Sequence, residues 1–395
     1  MGAVGLFVVS SRIWLLNYQQ IISNRLNQGI GILTILLMLG CDFAEYPSEA
    51  WLGLANFVPF FWLFIALKEL IKQPGNLKQL SWILILPSLP VVILGYAQLY
   101  LNLGTPPLLK SILGWELIPQ GVPAGRMSSV FIYTNFLAIY LAIAFTLTLG
   151  LWLDTWHAAR QEFNLQQNQV LFVLTIILLA DISGLILTSS RNAWGLAVIS
   201  FMAYALFLGW RWLILAITGA ATAILWASFA HNFGGTQLRK FVPAIFWTSL
   251  SDKLYDRPVE TLRISQWVFC WDKIKERPFV GWGLRNFSPL YEAKTNYWFG
   301  HPHSLYLMLG AETGIVSSLL LMGFVGLIMY RATILLLNWT FDSSKLIYFS
   351  YTVVFFCCVL FNFLDVTIFD LRVNTIIWII LAAIGGIAIN NKQST

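Results

Sequence analysis

The sequence predicts an all-α, polytopic membrane protein, and three observations lead to that prediction. Hydrophobic residues make up 58% of the 395-residue chain and charged residues only 11%, whereas a soluble domain carries roughly 25% charged residues. Ten apolar runs are long enough to cross a bilayer, which requires about 20 mostly apolar residues per helix. Eighteen tryptophans and fourteen tyrosines suit the aromatic belts at the two membrane surfaces.

The ten predicted spans leave one long loop between two transmembrane regions. They cover residues 29–45, 51–71, 80–100, 128–152, 168–189, 193–209, 212–230, 305–330, 344–364 and 371–389. Residues 4–22 are a further apolar element, interrupted by Arg12 and the polar run 17–20, which either spans the membrane or lies in its interface. We therefore expect an N-terminal transmembrane bundle (1–230), a loop (231–304) and C-terminal transmembrane helices (305–395).

Lysine and arginine in the short loops predict the orientation of these helices. Basic residues are more numerous at the helix ends that include Arg25, Lys72, Arg160 and Arg331 than in the opposite loops, and cytoplasmic loops carry such an excess. Both termini are then cytoplasmic, and residues 231–304 face the periplasm of a bacterial inner membrane. The net charge of +6 suits anionic membrane lipids, and nothing in the sequence indicates nucleic-acid binding.

The sequence contains no motif for a cofactor. The four cysteines show no CxxC spacing, so we expect small core residues without a redox or metal role. GxSxG, Walker A and dinucleotide-binding motifs are also missing, which leaves cytoplasmic ATP chemistry unsupported. We therefore expect the protein to work without a cofactor.

Two of the four histidines, His301 and His303, lie just before the apolar run that begins at Leu305. A titratable group at the membrane surface is a candidate for function. The pair could bind a metal, but a site needs at least one further protein ligand, and no HExxH motif or carboxylate cluster accompanies it. Ordinary interface histidines are a second alternative. We favour a general base or proton shuttle at His303, with His301 secondary and no metal.

Three arginines, Arg126, Arg191 and Arg263, are expected at the same outer surface as the histidines. Each could be an ordinary interface or loop residue. However, Arg191 follows a run of three hydroxyl residues, and Arg263 lies at the start of a predicted amphipathic helix over residues 261–277, where free N–H groups favour anions. Guanidinium groups bind phosphate through paired donors. Together these residues predict a site for an anionic, lipid-linked substrate.

The predicted loop helix has an apolar face at helical spacing. Ile264, Trp267, Val268, Trp271 and Ile274 form that face, and basic residues lie away from its centre. A basic helix with a tryptophan-rich face should lie flat on the membrane or on the helix bundle.

Two acidic residues lie inside predicted spans and therefore need partners. Asp181 lies within the span 168–189, and Glu312 lies in the helix that follows His303. Either could be buried next to a polar or basic neighbour. The spacing between His303 and Glu312 does not imply that they touch.

Four blocks of sequence, in their order along the chain, resemble the O-antigen ligase/polymerase superfamily of bacterial envelope enzymes. The blocks are residues 126–135, 188–194, 263–287 and 303–314. The resemblance implies about ten to twelve transmembrane helices with a large periplasmic loop, similar to the lipid-dependent GT-C glycosyltransferases. It also implies metal-independent, inverting transfer of a glycan from undecaprenyl diphosphate to lipid A-core or another acceptor. Arg191 and Arg263 match the diphosphate-binding arginines of the family, and His303 matches its essential histidine.

The sequence leaves three functional hypotheses open. The first is a membrane glycosyltransferase in which arginines hold the donor diphosphate and His303 activates an acceptor hydroxyl, either as a ligase or as a polymerase. The second is a transporter of a small anion such as bicarbonate, for which Asp181 is the main indication. The third is a scaffold without chemistry. Clustering of the charged groups at one face of the membrane favours the enzyme. The chain has Ser304 where the family often has asparagine, so the identity of the acceptor stays open.

Overall fold

The computed structural model describes residues 2–161, 164–243, 258–340 and 342–390, which form helices and connecting loops without a β-strand. The predicted all-α class is therefore confirmed, while residues 244–257 of the predicted loop lie outside the described part. The first eleven helices are α1 (Gly2–Ser23), α2 (Arg25–Asp42), α3 (Pro47–Gly53), α4 (Val58–Leu70), α5 (Gly75–Ile85), α6 (Ser88–Tyr100), α7 (Pro107–Leu113), α8 (Thr134–Gln161), α9 (Leu165–Thr188), α10 (Arg191–Phe207) and α11 (Arg211–Phe229). The later helices are α12 (Arg263–Glu276), α13 (Phe287–Thr295), α14 (Leu305–Asn338), α15 (Ser343–Phe361) and α16 (Leu371–Asn390).

Among the described residues, eight helical segments are long and apolar enough to cross a membrane. A ninth results if α1 and α2, which are bent by 97° at Asn24, count as one broken span. The protein is thus a multi-pass membrane protein, with slightly fewer clear spans than the ten predicted. One reason is α10, whose 17 residues extend only about 26 Å at 1.5 Å per residue, less than the roughly 30 Å hydrocarbon core.

Helix α8 is the centre of the bundle. In its most apolar stretch 89% of the residues are buried inside the protein, because α5, α9, α10 and α15 pack around it. Between membrane helices such packing acts through van der Waals contact rather than through exclusion of water. A helix enclosed on all sides is a rigid support, and its first turn carries Asn135, which belongs to the candidate site.

The loop helices α12 and α13 pack against the first turns of α14. A small apolar cluster joins them, and it contains Phe269, Cys270, Ile274, Phe287, Tyr291 and Ala311. Helix α12 occupies the stretch where the amphipathic pattern predicts a helix. The face that packs against the protein, however, is rotated relative to the predicted apolar face. Ile264, Val268 and Trp271 remain exposed, because Phe269 and Cys270 fill the space between the three helices. The exposed apolar side chains are free to face lipid.

Glu312 connects the loop region to α14. It is buried, and its Oε1 accepts a hydrogen bond from the Phe287 N–H at 3.1 Å. Its carbonyl oxygen accepts a second bond, from the Gly283 N–H at 2.8 Å. Gly314, two residues on, has a φ of 76° and breaks the regular helix, and a Cβ there would meet the Phe279 carbonyl oxygen at 2.2 Å. Glu312 is therefore a structural residue that fixes the loop against the helix.

Candidate active site

Loops at one end of the bundle bring two histidines and a carboxylate together. His301 and His303 precede α14, and Asp365 lies between α15 and α16. Oδ1 of Asp365 lies 3.7 Å from Nε2 of His301 and 3.7 Å from Nδ1 of His303. The two imidazole rings meet edge to face, with their centroids 4.6 Å apart. One carboxylate thus faces both imidazoles.

His301 is a neutral, positioning member of this cluster. Its Nδ1 accepts a hydrogen bond from the His303 backbone N–H at 3.2 Å, so the ring carries its proton on Nε2, which faces Asp365. Burial lowers the pKa of His301 from 6.5 to about 4. Asp365 acts in the opposite direction, while His303 and Arg263 add to the lowering. His301 therefore stays uncharged near neutral pH and holds the loop in shape.

His303 presents one side of its ring to the protein and the other to the outside. Its backbone has a φ of 52°, in the left-handed region that few residues other than glycine adopt. Its Nδ1 is buried, although the side chain as a whole is 21% exposed. Nε2 is thus the nitrogen that can reach a substrate. Trp267 of α12 secures the loop through a 3.0 Å hydrogen bond from its Nε1 to the Pro302 carbonyl oxygen.

Asp365 is buried and held in place from both sides. Its Oδ2 accepts a 2.5 Å hydrogen bond from Nδ2 of Asn135, and its Oδ1 accepts a 2.9 Å bond from the Val366 N–H. Burial by itself raises the pKa of Asp365, but His303, His301 and the Val366 N–H outweigh it, and the net pKa is lowered. The carboxylate is therefore ionised at neutral pH, and its charge is available to the neighbouring imidazoles.

Arg126 continues this chain of contacts toward α9. Its Nε donates to the Thr188 carbonyl oxygen at 2.8 Å, and its Nη2 donates to Oδ1 of Asn135 at 3.3 Å. Burial lowers the pKa of the Arg126 guanidinium, Tyr133 and Asp365 oppose that change, and the charge of Arg191 adds to it. Arg126 therefore supports Asn135 and through it Asp365, while Arg191 lies close enough to act on it electrostatically.

Arg191 and Arg263 are the first residues of α10 and α12, and both are exposed. Arg263 acts electrostatically on Tyr133 and on His301, which places it beside the same cluster. Burial raises the pKa of Tyr133, Asp365 raises it further, and the two arginines Arg126 and Arg263 oppose this. Positive charge at two helix N-termini, where backbone N–H groups lack partners, suits an anion.

The five predicted site residues therefore lie at one end of the bundle around Asp365. Residues 173–322, which include Arg191, Arg263, His301 and His303, match the family described as O-antigen ligase. This part of the chain is therefore similar to the O-antigen ligase superfamily. A comparison with curated proteins finds no match. The predicted resemblance is confirmed, and it supports an O-antigen ligase-like or polymerase-like function in the membrane.

Asp365 and Asn135 are the site residues that the sequence analysis misses, and both lie outside the matched O-antigen ligase region. A signal for Asp365 is present in the sequence. It lies in the short polar loop between the predicted spans 344–364 and 371–389, on the same side of the membrane as His303. Asn135 is the last residue of one of the four blocks, but it lies within the predicted span 128–152. Its polar role follows only from the structure, in which α8 begins at Thr134 and Asn135 lies in its first turn.

The cluster also has a donor set that a metal ion can use. One ligand atom each from His301, His303 and Asp365 lie within 4.8 Å of one another. The sequence shows no further protein ligand near the two histidines, but the fold supplies one, Asp365. Both oxygens of Asp365 also accept hydrogen bonds within the protein.

The two other acidic residues, Glu312 and Asp181, do not join this site. Glu312 binds the Phe287 N–H, as described above. Asp181 is fully buried in α9, where Ser88 of α6 is its polar neighbour. Neither residue forms an ion pair within the described part of the chain.

An apolar cavity of about 350 Å³ lies within the membrane part of the bundle, next to the site. It lies between α14, α15 and α16, and Leu305, Asn362 and Thr367 line its end nearest the site. Asn362 and Thr367 flank Asp365 along the chain, and the Leu305 N–H donates to the Asn362 carbonyl oxygen at 2.9 Å. The cavity thus ends at residues that are neighbours of Asp365 in the chain.

Proposed function

We propose that the protein is a membrane glycosyltransferase that moves a glycan from undecaprenyl diphosphate to an acceptor hydroxyl. The reaction takes place at the periplasmic face of the bacterial inner membrane, inverts the anomeric centre and needs no metal. The observation that supports this most strongly is the buried Asp365 carboxylate 3.7 Å from His303, beside exposed arginines at helix N-termini. An ionised carboxylate behind a histidine is the arrangement of a general base, because it stabilises the imidazolium that forms.

The donor diphosphate is held by Arg191 and Arg263. Both guanidinium groups are exposed, and each begins a helix, so N–H groups of the first turn add to the charge of the side chain. The diphosphate gains negative charge as it leaves, and fixed positive groups stabilise that charge without protonation. Arg126 contributes to the same positive field, although Thr188 and Asn135 occupy two of its donors.

His303 activates the acceptor. Its Nε2 removes the proton of an acceptor hydroxyl while that oxygen attacks the anomeric carbon of the donor. A new C–O glycosidic bond forms, the bond between the anomeric carbon and the phosphate oxygen breaks, and undecaprenyl diphosphate departs with the electron pair. The imidazolium of His303 is stabilised by Asp365 and later returns its proton to water. Attack opposite the leaving group inverts the configuration.

The apolar cavity between α14, α15 and α16 suits a lipid chain attached to a substrate. Its walls are mostly apolar, and it reaches the residues that flank Asp365. A substrate with a polar head at the histidines and a hydrocarbon tail in the membrane would occupy both regions at once. This arrangement favours lipid-linked substrates over a small soluble anion such as bicarbonate.

Reconstitution tests the proposal directly. Purified protein in proteoliposomes is given a radiolabelled undecaprenyl-diphosphate glycan and a panel of acceptors that includes lipid A-core. Transfer of one glycan to an acceptor, unchanged by a chelator, supports a metal-independent ligase, while growing products identify a polymerase of the same superfamily. Bicarbonate uptake without glycan transfer, or reversible loss of transfer with chelator, would contradict the proposal.

A further inference from the structure

A second cavity lies at the end of the bundle opposite His303. Helix α14 begins beside His303 and runs to Arg331 and beyond, and α16 begins beside Asp370 and reaches Ile389 at the same far end. There, a groove of about 410 Å³ follows the surface between α2 and α14. Its walls are apolar and include Ile30, Leu33, Leu319, Leu320, Phe324 and Leu327. Leu319 is 61% exposed, so the groove opens toward the membrane.

The mouth of this groove is strongly basic. Arg25 and Arg331 line the groove itself. A polar cavity of about 220 Å³ adjoins it, shares Asn24 and Ile389 with it, and adds Lys68 and Lys72. Among the described residues that line the two cavities, four basic side chains face a single carboxylate.

That carboxylate, Glu69, does not balance the basic charge. It lies 2.9 Å from Nζ of Lys72 and 3.6 Å from Nζ of Lys68. Lys68 is only 2% exposed and donates a 2.7 Å hydrogen bond to Oδ1 of Asn27. Lys72 and Arg331 both act electrostatically on it. A buried, charged lysine surrounded by further cations is costly unless an anion is near.

We infer that the groove binds an anionic glycerophospholipid. The acyl chains lie in the apolar groove between α2 and α14, and the head-group phosphate meets Arg25, Arg331 and Lys72. Basic pockets between membrane helices bind anionic head groups in this way, whereas a zwitterionic lipid brings no net charge to balance. A free phosphate ion would leave the apolar walls uncovered. The site is separate from the glycan chemistry, because it lies at the other end of the bundle.

Two glycines allow the tail-binding part of the site to be tested without touching the charges. Gly29 on α2 and Gly323 on α14 line the groove, and a Cβ added to either meets no atom within 4 Å. Leucine at either position therefore fills the groove rather than clashing with the protein. Gly219 on α11 lies in equally open space away from the groove and is the matched control.

Native mass spectrometry of the purified full-length protein measures the binding, with phosphatidylglycerol and phosphatidylethanolamine as probes. Phosphatidylglycerol should bind more tightly. Arg331→Gln and Lys72→Gln should each weaken it about fivefold, the effect of one basic group near the surface. Gly323→Leu and Gly29→Leu should weaken it as well, whereas Arg211→Gln and Gly219→Leu should not. Equal affinity for both lipids, full competition by inorganic phosphate, or identical losses in the control variants would overturn the inference.

Discussion

Oδ1 of Asp365 lies 3.7 Å from Nδ1 of His303, while Oδ2 of the same carboxylate is bound by Asn135. Asn135 is in turn bound by Arg126. The position of His303 is thus set by three residues in contact with one another. Arg126 lies in the loop before α8, Asn135 in α8 itself, and Asp365 in the loop after α15. All three residues are far from His303 in sequence, and only the folded bundle brings them together.

Replacing Asp365 with Asn should lower the rate of glycan transfer by at least about tenfold and leave donor binding unchanged. The amide cannot stabilise a charged imidazole. Because Asp365 acts through His303, the pH–rate profile should also change, and Asp365→Glu should recover part of the rate. Asp272→Asn on α12, where the side chain is partly exposed and pairs with Lys275, is the control. A variant with the wild-type rate and pH profile would remove Asp365 from the mechanism.

Alanine at Arg191 or Arg263 should weaken donor binding by about 1.5–3 kcal/mol, the range for a hydrogen bond to a charged group. Lysine should rescue only partly, since an ammonium group lacks the planar pair of donors. Affinity is measured with an undecaprenyl-diphosphate glycan in detergent, and Lys275→Ala, elsewhere on α12, is the matched control. Wild-type affinity in a folded double variant would rule out this role.

The sequence predicts the fold class and the location of the site because both depend on strong local signals. Long apolar runs identify membrane helices, and histidines or arginines at their ends are rare enough to be noticed. The structure brings Arg126, Arg191, Arg263, His301 and His303 to one end of the bundle.

Features that depend on tertiary contacts are not predictable in this way. Asp365 has no sequence motif, and its role follows from a carboxylate that the fold places between two imidazoles. The face of α12 that packs against the protein differs from its predicted apolar face. Phe269 and Cys270 fill a gap between helices, and the spacing of apolar residues in the sequence cannot reveal that gap. Glu312, which the sequence leaves without a partner, binds the backbone of a loop.

Thermal stability should fall as the pH drops from 6.5 to about 4, in part because of His301. The pKa of the buried imidazole is lowered from 6.5 to about 4, so in this window the unfolded chain binds a proton that the folded protein does not, and protonation favours unfolding. Asp365, whose pKa is lowered from 3.8, contributes only below this window. Melting temperatures measured in detergent across this range should decline less steeply for His301→Gln. An unchanged slope would contradict the neutral, buried state of His301.

A single cysteine at Thr236 should react with an impermeant reagent in intact spheroplasts. Thr236 is exposed and follows α11, in the loop that the charge pattern places in the periplasm. The background is the cysteine-free chain, and a cysteine at Lys72, at the opposite end of the bundle, serves as the matched control that reacts only after lysis. The reverse pattern would invert the orientation and place the site in the cytoplasm.

The most direct test of the account is the rate of glycan transfer by His303→Ala, measured together with its donor affinity in the same preparation. Loss of a general base costs about 10²–10⁴-fold in rate, so transfer should fall by that factor while the donor still binds with wild-type affinity. His301→Ala, which removes a positioning residue, should reduce the rate less. Transfer by His303→Ala at the wild-type rate would contradict the proposed mechanism.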